Sequence, residues 1–99
     1  MGGFFYLMAN KRNGTLYAGV TSDLIQRVWQ HREGVVPGFT RDYGVKQLVH
    51  FEEFGDITGA IQREKNVKHW VRAWKIALIE QSNPEWNDLW PSIVGLEPD

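Results

Sequence analysis

Two short stretches near the start of the chain consist mainly of apolar and aromatic residues, and a turn dipeptide lies between them. Residues 4–9 and 15–20 are rich in β-favouring residues, and Asn13-Gly14 is a strong β-hairpin signal. Side chains alternate between the two faces of a strand, so an even-numbered loop places Tyr6 and Tyr17 on the same face. The opposite face then carries the apolar residues Phe5, Leu7, Ala9, Leu16, Ala18 and Val20.

The length of the hairpin loop decides how close the two tyrosines lie. A two-residue Asn13-Gly14 turn would pair Tyr6 with Thr21, roughly 13 Å along the strand from Tyr17. A four-residue loop over Lys11–Gly14 pairs Tyr6 with Gly19 and makes the tyrosines diagonal neighbours. We favour the longer loop, although the dipeptide alone favours the shorter one. The simpler alternative is that both tyrosines are ordinary half-buried sheet residues.

A helix is predicted after the hairpin, with an apolar stripe formed by Leu24, Ile25, Val28 and Trp29. Thr21 or Ser22 can cap its N-terminus, and Gly34 is expected to end it. Arg27 and His31 are four residues apart and therefore project from one face beside the stripe. Taken alone, such a pair is usually a solvated helix edge.

Glu64 interrupts a second apolar stripe. A third strand is predicted over residues 47–54, and Asp56 can cap the helix that follows. At about 100° per residue, Glu64 falls in the middle of the apolar positions of that helix. A carboxylate there is costly unless it is paired or bound to a metal ion. An ion pair, with Arg27 as one partner, and a metal site are equally consistent with this pattern.

The rest of the chain contributes packing elements. A further helical stretch is predicted over residues 71–81, and Pro84 prevents it from extending far. The five tryptophans are more typical of core residues than of platforms for base stacking. We predict one domain over residues 1–90 and a flexible tail over residues 91–99.

Composition narrows the possible functions. The absence of cysteine excludes disulfides, thiolate zinc sites and cysteine nucleophiles. No segment is long enough to span a membrane, and no signal peptide is recognisable, so we expect a cytoplasmic protein with no membrane partner. The net charge is −1, but residues 1–50 hold six basic and three acidic side chains, and residues 57–82 hold five and two. The candidate residues therefore lie in basic segments, which permits a local phosphate-binding surface.

Several short motifs follow one another along the chain. They are Phe4-Phe5-Tyr6, Asn13-Gly14-Thr15-Leu16-Tyr17-Ala18-Gly19-Val20-Thr21, Leu24-Ile25-Gln26-Arg27-Val28-Trp29-Gln30-His31, Arg63-Glu64-Lys65, Trp74-Lys75-Ile76-Ala77-Leu78-Ile79-Glu80 and Asn83-Pro84-Glu85-Trp86. Each motif is weak alone, but their order and spacing are specific. Together they resemble the GIY-YIG endonuclease domain, and in particular its small stand-alone bacterial members, over nearly the whole chain.

The resemblance implies an α+β fold with a small three-stranded antiparallel sheet flanked by helices. It also implies a DNA endonuclease that uses one Mg²⁺ or Mn²⁺ ion, with DNA repair or processing as its expected role. Glu64 matches the metal ligand of the family. The positions that match its catalytic residues are Tyr6, Tyr17, Arg27, His31 and Asn83. From their charge and position, we further expect Arg41, Lys46, Lys68 and Arg72 to contact DNA.

Two departures from the family pattern leave the tyrosines in place. The first motif lacks its glycine and isoleucine, and the second reads Tyr17-Ala18-Gly19. Because the ordinary pKa of tyrosine is near 10, a tyrosine base needs help from a neighbour. We expect Tyr6 to act as the base through a water molecule and Tyr17 to orient the phosphate. The alternative function is a nucleic-acid-binding or protein-interaction module that keeps the nuclease fold with little turnover.

Overall fold

The computed structural model describes residues 2–35 and 38–95. Three antiparallel strands form one sheet with helices on both faces, as predicted, and the strand order is β2-β1-β3. The elements in chain order are β1 (Gly3–Ala9), β2 (Leu16–Thr21), α1 (Leu24–Glu33), α2 (Phe39–Asp42), β3 (Gln47–Phe54), α3 (Ile57–Lys68), α4 (Arg72–Ser82) and α5 (Trp90–Val94).

The hairpin has the longer loop. Tyr6 pairs with Gly19, which confirms the predicted register and makes Tyr17 a diagonal neighbour of Tyr6. Asn10 closes the loop, because its Oδ1 accepts a hydrogen bond of 2.9 Å from the backbone N–H of Thr15. Asn13 adopts a positive φ of 58°, a conformation that asparagine tolerates better than most residues.

Each face of the sheet covers its own apolar core. The first core lies beneath α3 and α4, and its buried residues are Phe5, Leu7, Ala9, Val49, Val67, Ile79 and Trp86. The second lies beneath α1 and the C-terminal segment, and its buried residues are Tyr6, Met8, Leu24, Val28, Val45 and Leu48. The alternation predicted for the hairpin is therefore present, and Tyr6 is a core residue of the second face.

Helix α1 begins at Leu24, one residue later than a cap at Ser22 would place its start. Asp23 is the N-cap, and its carboxylate accepts a hydrogen bond of 3.1 Å from the N–H of Gln26. The Thr21 hydroxyl instead hydrogen-bonds to the backbone N–H and carbonyl of Asp23. Gly34 ends the helix with φ of 69°, as predicted, and Asp56 caps α3.

Helices α3 and α4 are separate, with a short turn at His69 and Trp70 between them. Of the tryptophans predicted to be core residues, Trp86 is buried, whereas Trp74 is 60% exposed and Trp29 is 49% exposed. The apolar stripe of α1 is therefore narrower than predicted, because Ile25 is also exposed.

The C-terminal segment is held by one carboxylate. Asp88 accepts hydrogen bonds from Arg32 of α1, from the N–H of Leu48 in β3 and from the N–H of Trp90. Helix α5 follows directly, so residues 91–94 of the predicted tail are helical. Residues 96–99 lie outside the described part of the chain.

Within residues 2–35 and 38–95, no helix combines the length and the apolar character that crossing a membrane requires.

The register predicts a requirement for glycine at position 19. A Cβ on Gly19 would lie 2.4 Å from Oη and 2.5 Å from Cζ of Tyr6, so Gly19→Ala must displace a fully buried ring. We expect a loss of about 1–3 kcal/mol in the free energy of unfolding, measured by urea denaturation. Gly55→Ala is the matched control, because a Cβ there meets nothing within 4 Å. Equal stability of the two variants would contradict this account of the Tyr6–Gly19 contact.

Candidate active site

Three aromatic rings meet on the α1 face of the sheet. The ring centroids are 6.3 Å apart for Tyr6 and Tyr17, 5.8 Å for Tyr6 and His31, and 5.4 Å for Tyr17 and His31. Adjacent strands supply the tyrosines, and α1 supplies the histidine. We call these three residues the aromatic cluster. The structure thus brings together three of the predicted catalytic side chains.

A hydrogen bond of 3.0 Å joins Oη of Tyr6 to Nε2 of His31. The positive charge of Arg27 lies close enough to the same phenol to act on its pKa. The tautomer of His31 decides which atom donates in the Tyr6–His31 bond, and the Nδ1–H tautomer makes Nε2 the acceptor of the Tyr6 proton.

Burial moves the pKa values of this pair apart. Loss of solvent, with a smaller contribution from Tyr17, raises the pKa of Tyr6 to about 12, although Arg27 opposes this change. Burial and then the positive charge of Arg27 lower the pKa of His31 to about 4. At neutral pH, Tyr6 is consequently a protonated phenol and His31 is a neutral imidazole.

The cluster has an inner and an outer layer. Tyr6 is 0% exposed and His31 is 2% exposed, so both lie behind the surface. Tyr17 and Arg27 are half-buried and reach solvent. The outer layer is therefore the part that a bound molecule would meet first.

A groove of about 500 Å³ follows the outer edge of β2, beginning at Tyr17. Residues of α3 and α4 form its far side, and they bring one carboxylate and two ammonium groups. The lining residues are Leu16, Tyr17, Ala18, Gly19, Val20, Ile61, Glu64, Lys68 and Lys75. We call this the β2 groove. It places Glu64 across the edge strand from the aromatic cluster.

Glu64 is neither fully buried nor paired with Arg27. Its side chain is 18% exposed, and its carboxylate lies 3.8 Å from Nζ of Lys68, one turn later in α3. Because the Lys68 side chain is 67% exposed, this ion pair is weak. The carboxylate therefore remains available to a ligand in the groove.

The predicted DNA contacts divide into two groups. Lys68 lines the β2 groove, and Lys46 and Arg41 are exposed, with Arg41 3.7 Å from the Asp42 carboxylate. Arg72 instead donates to the backbone carbonyls of Asn13 and Gly14, and so ties α4 to the hairpin loop. A DNA contact of Arg72 stays a prediction, and its Nη2 is already engaged by the hairpin carbonyls.

Asn83 lies away from the aromatic cluster, beside β3 at the opposite edge of the sheet. Its amide nitrogen donates to the carbonyls of Val49 (3.0 Å) and Asn87 (2.9 Å), and its Oδ1 accepts from the N–H of Asn87. These hydrogen bonds give the Asn83 side chain a structural role, because they link β3 to the segment after α4. Its catalytic role stays a prediction, and the geometry does not support it.

Three residues of the site were not predicted from the sequence. Gly19 gives the Tyr6 ring its space, Lys75 lines the groove, and Thr40 hydrogen-bonds to His31. Lys75 lies seven residues after Lys68, a spacing that would have placed both on one side of a continuous helix. Thr40 lies in the single turn of α2 and has no comparable sequence signal.

The depressed pKa of His31 predicts how stability depends on pH. Between the unfolded value of 6.5 and the folded value of about 4, the unfolded chain binds a proton that the folded protein does not bind. The free energy of unfolding should thus fall as the pH drops from 6.5 to 4, by at most about 1.4 kcal/mol per pH unit from this residue.

His31→Gln is the control for this measurement. Other groups that titrate in this range, such as Glu52, are common to both proteins, so the difference between their denaturation curves isolates His31. Parallel pH dependences would show that His31 is not held neutral by the fold.

Comparison with known proteins agrees with this geometry. Residues 2–77 match the family model of the GIY-YIG catalytic domain. A UPF0213 protein of Haloquadratum walsbyi is 39% identical over 67 residues, which are 68% of this chain and 75% of the relative. A UPF0213 protein of Bacillus pumilus is 34% identical over 82 residues, 83% of each chain.

A solved structure has the same architecture. The solution NMR structure of a UPF0213 protein from Bacillus halodurans has a TM-score of 0.56 and 26% sequence identity, and the match covers 92% of this chain and 96% of that one. The two proteins therefore share their overall fold, and the match of the family model to residues 2–77 shows that the chain belongs to the GIY-YIG catalytic domain family.

Proposed function

We propose that this protein is a metal-dependent DNA endonuclease that hydrolyses phosphodiester bonds at the β2 groove. The observation that carries the proposal is the layered site, in which Arg27 and Tyr17 cover the buried pair of Tyr6 and His31. Glu64 and two lysines continue the same surface. The expected setting is DNA repair or processing in the cytoplasm.

The outer layer suits a phosphate. A phosphodiester resists attack because its negative charge repels nucleophiles, and that charge grows in the transition state. Arg27 can direct a planar fork of donors at the non-bridging oxygens, and the Tyr17 hydroxyl can fix the orientation of the group. Lys68 and Lys75 supply positive charge farther along the groove.

Glu64 fits a magnesium site of the kind that has few protein ligands. No group of three or more candidate ligands occurs in residues 2–35 and 38–95, whereas Mg²⁺ often binds through one or two carboxylates, waters and the phosphate of the substrate. A metal ion held there would supply Lewis-acid stabilisation of the phosphate and of the leaving oxygen.

The burial of Tyr6 and His31 changes the role that we expect for Tyr6. With a pKa of about 12, roughly one Tyr6 side chain in 10⁵ is a phenolate at pH 7, so Tyr6 alone is a poor base. His31 is neutral and is hydrogen-bonded to the Tyr6 hydroxyl, so in the Nδ1–H tautomer its Nε2 can take the Tyr6 proton. We therefore assign base catalysis to the pair. A water proton passes to Oη as the Tyr6 proton passes to Nε2, the water oxygen bonds to phosphorus, and the bond from phosphorus to the leaving oxygen breaks. The imidazolium then returns its proton through Tyr6 to solvent, and the leaving oxygen takes a proton from solvent.

The experiment that tests the function is incubation with labelled duplex, single-stranded, branched and damaged DNA and with RNA. Each substrate is combined with Mg²⁺, Mn²⁺ or EDTA. We expect DNA cleavage with either metal ion and none with EDTA. DNA binding without cleavage under all conditions would support a non-catalytic binding module instead.

Glu64→Gln should keep the fold and abolish metal-dependent cleavage, because the amide is a poor magnesium ligand. Glu53→Gln is the matched control, since Glu53 is exposed on β3 at the other edge of the sheet. Cleavage is measured as a single-turnover rate, and folding by thermal denaturation. Undiminished cleavage by Glu64→Gln would remove this residue from the mechanism.

Removing the hydroxyl group should have different effects at the two tyrosines. Tyr6→Phe removes the proton path to His31 and should lower the single-turnover rate by ~10² or more with little change in DNA affinity. Tyr17→Phe should have a milder effect on the rate and weaken binding, because it removes a phosphate contact from the outer layer.

Both substitutions keep the ring, so packing is preserved. Equal losses in rate and in affinity would show that the phenols act as one unit, and the reverse order would exchange their roles.

A further inference from the structure

Thr40 makes a contact that the proposed mechanism does not yet use. Its Oγ1 lies 3.2 Å from Nδ1 of His31, on the opposite side of the imidazole from Tyr6. Thr40 is 3% exposed and His31 is 2% exposed, so water does not compete for this hydrogen bond. The imidazole is therefore held at both nitrogens by buried hydroxyl groups.

The partners of the imidazole favour one arrangement of the protons. A phenol is a stronger hydrogen-bond donor and a weaker acceptor than an aliphatic hydroxyl, so the Tyr6 hydroxyl is the better donor to Nε2 of His31 and the Thr40 hydroxyl is the better acceptor for an Nδ1–H. A neutral imidazole carries one proton, and with Nε2 as the acceptor this proton is on Nδ1. The favoured order of donation is Tyr6 to His31 to Thr40.

The backbone around Thr40 is well anchored. The carbonyl of Thr40 accepts a hydrogen bond of 2.9 Å from the N–H of Val45, whose side chain is fully buried in the second core. The N–H of Asp42 donates to the carbonyl of Gly38 across the single turn of α2. Asn10 in the hairpin loop donates to the carbonyl of Tyr43. These bonds fix the hydroxyl in place relative to α1 and the hairpin.

We propose that Thr40 is a positioning residue that holds His31 in the Nδ1–H tautomer and so keeps Nε2 free to take the proton of Tyr6. In the other tautomer, Nε2 would carry a proton and could not accept one. The tautomer of a histidine is set by the partner of its second nitrogen, and the loss of such partners in metal sites typically costs 10–100-fold in activity. The catalytic part of this proposal rests on the proposed nuclease function, whereas the tautomer does not.

The tautomer is tested by ¹⁵N NMR of the imidazole in the folded protein near pH 7, without DNA or metal. The wild type should show a protonated Nδ1 and an unprotonated Nε2 that couples to the Tyr6 hydroxyl. Thr40→Val keeps the shape of the side chain but removes the acceptor, and the spectrum should move towards a mixture of tautomers. Thr40→Ser should restore the wild-type pattern.

Single-turnover cleavage is measured on the same three proteins. We expect Thr40→Val to be ~10–100-fold slower with unchanged DNA affinity and Thr40→Ser to recover most of the rate. If the wild type cleaves no nucleic acid, the nuclease proposal fails and the NMR result alone decides the role of Thr40.

Three results would overturn the proposal. The first is a wild-type spectrum with the proton on Nε2, which is decisive even if a variant fails to fold. The second is a Thr40→Val spectrum identical to that of the wild type. The third is a loss of activity that Thr40→Ser does not recover, because that would indicate a packing role of the threonine methyl group.

Discussion

The hydrogen bond between Tyr6 and His31 is the interaction on which the rest of the site depends. It joins the central strand to α1, and it does so in a region from which solvent is excluded. A buried phenol and a buried imidazole each need a hydrogen-bond partner, and here each is the partner of the other. The close approach requires an empty position opposite Tyr6, which Gly19 provides.

Under the proposed function, this arrangement separates two chemical tasks that a nuclease must combine. Proton transfer would take place between neutral groups in the interior, where burial and Arg27 keep His31 uncharged. Phosphate recognition would take place outside, where Arg27, Lys68 and Lys75 face solvent or the groove. Arg27 belongs to both layers, since it contacts Tyr6 and also reaches the surface. A substitution at Arg27 would therefore alter proton transfer and phosphate binding together.

Local sequence patterns predicted the elements well because their causes are local. Period-two alternation placed the tyrosines on one face, and helical periodicity placed Glu64 on the side of α3 that faces β2. The register was harder to predict, because Asn13-Gly14 favours a two-residue turn, whereas the Asn10 side chain and the Tyr6–Gly19 contact select the longer loop.

Contacts between partners that are distant in sequence were not predicted. The amide of Asn83 is committed to a carbonyl 34 residues earlier, and Arg72 to carbonyls of the hairpin loop. No periodicity reveals such pairs. The predicted tail is helical at its start because Pro91 suits the first turn of α5 and Asp88 anchors the preceding backbone.

The attachment of Asp88 also has a consequence for the order in which the protein matures. Arg32 is the residue after His31, and its carboxylate partner lies 56 positions later. During synthesis, the segment with both tyrosines and His31 emerges long before Asp88 is added. The nascent chain therefore carries the whole aromatic cluster while the end of α1 next to it still lacks its carboxylate partner. The Arg32–Asp88 contact can form only after residue 88 has been added, so the surroundings of the cluster are completed late in the synthesis of this domain.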